Sequence, residues 1–177
     1  MVMTLTAEDI AAGVERLATA IREKHRGQPV ALIGIRSRGD EVAERVLTLL
    51  SVEDDWELSF GVLDISLYRD DFEHLRESPR LQESDIGFPV EGAHIILVDD
   101  VLFTGRTIRA ALGALADYGR PSKVELAVLI DRGHREMPIQ PDYVGIPLDT
   151  HRLDHVIVSL EGADGKDEVR IIAKEQP

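Results

Sequence analysis

Ile95-Ile96-Leu97-Val98-Asp99-Asp100-Val101-Leu102-Phe103-Thr104-Gly105-Arg106-Thr107 decides how this chain is read. The aliphatic run, from His94 to Val98, predicts a buried strand. Two adjacent carboxylates end it, and both are expected to face solvent there. A loop with Thr104 and Gly105 then opens a helix predicted over about Thr104 to Tyr118, which Gly119 and Pro121 terminate. In open α/β sheets, ligands sit outside the carboxyl ends of the strands. The Thr104–Thr107 turn offers free backbone N–H groups, two hydroxyls and the positive end of a helix dipole, which together cradle a phosphate. Asp99 and Asp100 would repel a phosphate laid on them. They suit the vicinal hydroxyls of a sugar or a positive charge developing in a transition state. Carboxylates beside a phosphate cradle therefore point to a ribose phosphate. The alternative is a solvated Asp-Asp turn followed by a plain helix cap.

The flanking sequence repeats the strand-then-helix order. Thr6, with Asp9 three residues on, caps a first helix whose apolar face is Ile10, Val14, Leu17 and Ile21. Gly27 and Pro29 end it. Pro29–Ile35 reads as a buried strand, Arg36-Ser37-Arg38-Gly39 as a turn, and about Asp40 to Leu50 as a second helix. Leu58–Leu67 alternates loosely and predicts a strand. Tyr68 to Phe88 is a long polar loop, either functional or a plain surface segment. Val124–Ile130 is another strand, followed by the turn Asp131-Arg132-Gly133. Val156–Leu160 and Val169–Ala173 are two late strands, separated by Gly162-Ala163-Asp164-Gly165. Alternating strands and helices predict an α/β fold with a parallel sheet flanked by helices. With no internal repeat and no linker, residues 1–177 are expected to form one domain.

Composition narrows the chemistry. The 177 residues are 44% hydrophobic and 30% charged, and none is cysteine. Disulfides, thiolate nucleophiles and cysteine-based zinc sites are thereby excluded. No signal peptide is visible, and the apolar runs are too short to span a bilayer. A cytoplasmic protein without a membrane partner is the expectation. Net charge is −13, so phosphate must be bound by local devices rather than by the long-range field. His151 and His155 stand four apart at the entry to a strand, where that spacing does not serve one metal ion. Trp56 and Phe60 read as packing residues.

The motifs together resemble a known family. Val98–Thr107 looks like the site for 5-phosphoribosyl-1-pyrophosphate (PRPP) in type I phosphoribosyltransferases. Leu32-Ile33-Gly34-Ile35-Arg36-Ser37-Arg38-Gly39, Leu63-Asp64-Ile65-Ser66-Leu67-Tyr68-Arg69-Asp70-Asp71 and Ala127-Val128-Leu129-Ile130-Asp131-Arg132-Gly133-His134-Arg135-Glu136 sit in the order and spacing of the bacterial pyrimidine operon attenuation regulator and uracil phosphoribosyltransferase family, PyrR. The resemblance covers nearly the whole chain. It implies a type I phosphoribosyltransferase-like fold with a small hood and a flexible lid loop.

The resemblance also implies roles. Ser37, Arg38 and Gly39 become the pyrophosphate loop, which agrees with a helix N-terminus aimed at an anion. The alternative for Arg38 is a surface arginine. A Walker A loop is set aside because Asp40 stands where lysine is required. Val101, Leu102, Phe103, Thr104, Gly105, Arg106 and Thr107 hold the phosphate, with Asp99, Asp100 and Arg69 as the catalytic set. The lid is Tyr68–Phe88. Asp131, Arg132, Gly133, His134 and Arg135 help form the base site, or Asp131 and Arg135 form an ion pair that fixes the turn. Purine members of the superfamily carry a carboxylate just before the Thr-Gly. Here that residue is Phe103, which cannot exchange a proton, so uracil is favoured. Mg2+ is expected through PRPP oxygens, with no direct protein ligand. UMP is expected as product and effector, and self-association is implied by resemblance alone. The alternatives are an RNA-binding regulator with little enzyme activity and a transferase for another base.

At one point the chain departs from the family. Gln140 and Ile146 stand where positive charge is expected in the stretch after Arg135-Glu136. Glu15 and Thr19 occupy the early turns of the first helix, while Arg22, Lys24, His25 and Arg26 keep its end basic. Each lost phosphate contact removes salt-dependent affinity. Binding to pyrimidine operon mRNA is therefore expected to be weak, absent or differently located.

Overall fold

A computed structural model describes residues 2–52, 55–71 and 83–174. The chain begins with a short strand, β1 (Val2–Leu5), and then α1 (Ala7–His25). The α1 cap is reciprocal: Asp9 N–H donates to Thr6 Oγ1 at 3.3 Å, and Thr6 N–H donates to Asp9 Oδ2 at 2.8 Å. Its buried stripe contains Ile10, Val14, Leu17 and Ile21. β2 (Val30–Ile35) is buried throughout and leads into α2 (Gly39–Leu50). β3 (Leu58–Leu63) ends earlier than the sequence suggests. Asp64 Oδ1 accepts from both the N–H and the hydroxyl of Ser66, at 2.8 and 2.6 Å, which turns the chain into a 3-10 turn at Ser66–Tyr68. Of the expected lid, residues 72–82 lie outside the described residues.

β4 (Asp85–Ile86) pairs antiparallel with β3. β5 (His94–Leu102) runs past the two carboxylates instead of stopping at them, because Val101 and Leu102 still pair with Ile130 and Asp131 of β6 (Lys123–Asp131). α3 (Arg106–Ala116) starts two residues later than expected, since Gly105 occupies its cap position at φ +90°. β7 (Tyr143–Pro147), β8 (His155–Ser159), the short α4 (Glu161–Asp164) and β9 (Glu168–Ile172) complete the chain.

The large sheet has the order β4-β3-β2-β5-β6-β7, parallel except at the β4 edge. Strand alternation splits its side chains between two layers. Leu32, Ile96, Val98 and Leu129 pack with α1 and α2, while Ile33, Ile95, Leu97 and Val128 pack with α3. A second, antiparallel sheet, β1-β9-β8, forms the small hood. Its Val158, Val169 and Ile171 join the same apolar cluster as α1 and α2. Among the described residues no helix is long and apolar enough to cross a membrane.

Candidate active site

Three central strands, β2, β5 and β6, lie side by side and parallel. Their carboxyl ends therefore open onto one crevice, and each delivers one of the motifs found in the sequence. Ser37, Arg38 and Gly39 follow β2. Asp99 to Thr107 occupy the end of β5 and the turn into α3. Asp131 to Arg135 follow β6.

The β2 loop is pressed onto the carboxylate strand. A Cβ on Gly39 would lie 2.7 Å from Val98 O and 3.0 Å from Asp99 Cα. Only glycine allows that approach. Arg38 caps α2 without a side-chain hydrogen bond to the helix, so its side chain leaves the first N–H groups of α2 uncapped. The Arg36–Ser37 peptide bond is cis. Arg38 at φ 74° and His134 at φ 67° are the non-glycine residues with positive φ among the described residues. Strain of this kind gathers at functional sites, and both residues fall in the expected one.

Asp99 is only 4% exposed. It does not face solvent as the sequence suggested, because β5 carries on beyond it. Burial pushes its carboxyl well above the usual carboxylate range, and the neighbouring Asp100 charge adds to this. Burial also raises Asp100. Asp99 Oδ1 accepts from Asp100 N–H at 2.9 Å, and Asp100 Oδ1 accepts from Val101 N–H at 2.8 Å.

A cavity of about 210 Å3 is lined by Arg69, Asp70, Asp71 and every residue from Val101 to Thr107. The structure thus brings Arg69 to the same cavity as the Val101–Thr107 turn. Each arginine here is already paired with a carboxylate. Arg69 meets Asp71 through two 2.8 Å hydrogen bonds. Arg106 meets Asp70 at 2.7 Å and Glu136 at 2.8 Å. Across the crevice, Arg38 forms a bidentate pair with Asp164 of α4, at 3.0 and 2.8 Å. Asp164 was missed by sequence reasoning, and Asp70 and Glu136 appeared there only within motifs and without a role, since acidic residues in polar loops carry no signal of the arginine they will meet.

The β6 loop is tied to the cradle by backbone. Arg132 N–H donates to Leu102 O at 3.1 Å, and the N–H groups of Glu136 and Met137 donate to Thr104 O at 2.8 and 3.0 Å. The Arg132 guanidinium lies 4.0 Å over the Phe103 ring, with the His134 ring edge-on at 6.1 Å. Burial lowers Arg132 from its ordinary value, and its Nε has no hydrogen-bond partner among the described residues. Gly133 N–H donates to Asp131 Oδ1 at 3.0 Å. Arg135 spends its guanidinium on Asp131 at 2.8 Å, Phe103 O at 2.9 Å and Ile139 O at 2.9 Å. Of the two readings left open for Asp131 and Arg135, the geometry supports the ion pair that fixes the turn. In this arrangement Arg135 positions Phe103 through the carbonyl it bonds.

Carboxylates between two turns, at the ends of adjacent parallel strands, lie in the arrangement that the sequence assigned to a phosphoribosyltransferase, and the chain belongs to that class. The family described as the phosphoribosyl transferase domain matches residues 3–162. Within that class the chain belongs to the PyrR family. It is 49% identical over 173 residues to the bifunctional protein PyrR of Akkermansia muciniphila, covering 96% of this chain and 94% of that protein. With the bifunctional protein PyrR of Chloroflexus aurantiacus it shares 47% identity over 169 residues, 95% of this chain and 93% of the relative. Among solved structures, a hypoxanthine-guanine phosphoribosyltransferase of Bacillus anthracis is similar at a TM-score of 0.71 and 14% identity, covering 96% of this chain and 97% of that one. A hypoxanthine phosphoribosyltransferase of Staphylococcus aureus gives 0.70 and 20%, covering 98% and 92%. At those identities the likeness is one of fold alone.

Proposed function

We propose that this chain, as one domain, transfers the phosphoribosyl group of PRPP to uracil, forming UMP and pyrophosphate. The observation that carries the reading is the convergence of the β2, β5 and β6 ends on one crevice. The turn at Thr104–Thr107 takes the ribose phosphate, and Ser37, Arg38 and Gly39 with the α2 N-terminus take the pyrophosphate. Asp99 and Asp100 face the sugar. As the bond from C1 to the pyrophosphate oxygen breaks, positive charge grows on the ribose, and two carboxylates in a low-dielectric site stabilise it. The N1 of uracil closes the new bond to C1, and its proton passes to the departing pyrophosphate or to water. Arg69 approaches the same cavity and supplies charge to the departing pyrophosphate. Phe103, with Arg132 stacked on it and no carboxylate at that position, suits a pyrimidine that needs no proton exchange on a second ring.

Magnesium fits this site through the substrate. Asp99 and Asp100 offer the hard oxygen donors the ion prefers, but each has one oxygen committed to a backbone N–H. When bound, the ion supplies neutralisation of the pyrophosphate charge. The test is incubation with PRPP, Mg2+ and a panel of bases. UMP formation with uracil supports the reading, and preference for a purine or orotate refutes it.

The second reading, a UMP-responsive regulator of pyrimidine mRNA, draws on the bifunctional naming of the relatives. Charge placement opposes tight RNA binding in this chain. Arg22 donates to Leu49 O at 2.7 Å, and Lys24 and His25 both reach Glu125. Arg22 and His25 are thereby turned into the protein, while Lys24 and Arg26 stay on the surface. Phosphoribosyl transfer with RNA binding weakened is the reading these residues support; a cytoplasmic homo-oligomer is proposed on the family resemblance alone.

A further inference from the structure

At the opposite end of the sheet from the crevice, three side chains meet that the transfer reaction does not use. His25 ends α1, His94 opens β5, and Glu125 lies near the start of β6. His25 is 4% exposed and Glu125 is 1% exposed. The Nε2 atoms of both imidazoles converge on one carboxylate oxygen, Glu125 Oε2, at 2.6 Å from His25 and 2.9 Å from His94. The two rings meet edge to face, with centroids 4.5 Å apart. Lys24 and, at 3.3 Å, Lys123 occupy the other oxygen, Oε1. The candidate ligand atoms of the three residues all lie within 4.8 Å of one another.

The cluster sits within reach of one further polar group. His25 Nε2 lies within hydrogen-bond distance of both Glu125 Oε2 and the Tyr143 hydroxyl, at 2.6 and 2.9 Å. A cation seated between the two imidazole nitrogens and Oε2 would take a lone pair from each, while the Tyr143 hydroxyl, 3.1 Å from Oε2, donates to the carboxylate from outside.

We propose that His25 Nε2, His94 Nε2 and Glu125 Oε2 bind a divalent transition cation of the zinc class, with a fourth position open to water beside the part-exposed His94. Two imidazoles and one carboxylate suit zinc and its neighbours, whereas Mg2+ prefers oxygen alone. The lysines hold Oε1 and leave Oε2 as the single carboxylate ligand. His94 and Asp99 are five positions apart on one strand, about 17 Å at strand spacing, so this site is separate from PRPP. Bound metal clamps the end of α1 to β5 and β6.

The test uses the full chain stripped with a chelator. Titration with Co2+ should give visible bands of a four-coordinate ion at one equivalent per chain, and Zn2+ should displace them. His94→Ala and, separately, His94→Gln should weaken binding at least tenfold while leaving the transfer rate within about twofold. His151→Ala and the Asp99→Asn/Asp100→Asn double variant should keep the bands. Zn2+ should raise the melting temperature of the wild type and leave that of His94→Ala unchanged. Absence of Co2+ bands and of Zn2+ binding in the wild type at about 100 µM metal, where occupancy of even a weak site would shift stability, overturns the proposal. So does wild-type affinity in both His94 variants, or loss of the bands in the Asp99/Asp100 double variant with retention in His94→Ala.

Discussion

Replacing Gly39 by alanine puts a methyl group 2.7 Å from Val98 O, where ordinary contact begins near 3.4 Å. The loop or the carboxylate strand must therefore shift by about 0.7 Å, the difference between those two distances. Neither side yields easily, because Val98 and Asp99 sit in the middle of a paired strand and the obstacle is backbone. Overpacking of this kind costs roughly 1–3 kcal/mol of stability. A misplacement approaching 1 Å costs up to about a hundredfold in rate, so kcat/KM for PRPP should fall between about tenfold and a hundredfold, or roughly 1.4 to 2.7 kcal/mol. KM for uracil should stay within about twofold, since the proposed base site draws on β5 and β6 rather than on this loop. The assay is steady-state transfer with each substrate varied in turn, beside thermal unfolding. A variant with wild-type kcat/KM for PRPP would refute the claim that this loop and Asp99 act as one unit.

The other expectations concern charge. Asp99→Asn and Asp100→Asn should each lower turnover by on the order of tenfold to a thousandfold while folding normally; near wild-type rates in both and in the double variant would remove their assigned role. Asp99 titrates higher in the folded chain than in the unfolded one, so the native state holds the extra proton and stability falls as pH rises through that window. Asp99→Asn escapes this, and its gain in melting temperature over wild type should be larger at neutral pH than near about pH 4; a pH-independent difference contradicts the burial argument. Asp164→Asn weakens a part-exposed pair worth about 0.2–1 kcal/mol, and should lower KM for PRPP by up to about fivefold; an increase would mean that Asp164 helps rather than competes. Titration with a pyrimidine-operon leader hairpin, with and without UMP, should show affinity no tighter than the roughly micromolar non-specific range. Submicromolar, UMP-enhanced binding that outcompetes an unrelated hairpin would show that Gln140, Ile146 and the end of α1 were misread.

The large sheet was legible because its strands are buried on both faces and read as continuous aliphatic runs, as in Val30–Ile35 and Ile95–Val98. β7 was missed because Gly145 and Pro147 interrupt its pattern, and β1 because an exposed strand at a sheet edge carries no alternation. The order Asp99, Asp100, Thr104, Gly105, Thr107 is local, so one window of sequence displays it. What was illegible depends on contact between distant segments. The burial of Asp99 follows from the length of β5, the pairing of Arg38 with Asp164 spans 126 positions, and His25 meets Glu125 across 100. No local pattern encodes those meetings.

The central claim is tested most directly by supplying the purified chain with PRPP and Mg2+ and each of uracil, hypoxanthine, guanine and orotate, then measuring nucleotide and pyrophosphate together. The account predicts UMP and pyrophosphate in equal amounts from uracil, at a rate well above any other base, and abolished on mixing Asp99→Asn with Asp100→Asn in one chain. No nucleotide from uracil, or faster transfer to a purine or to orotate, would contradict it.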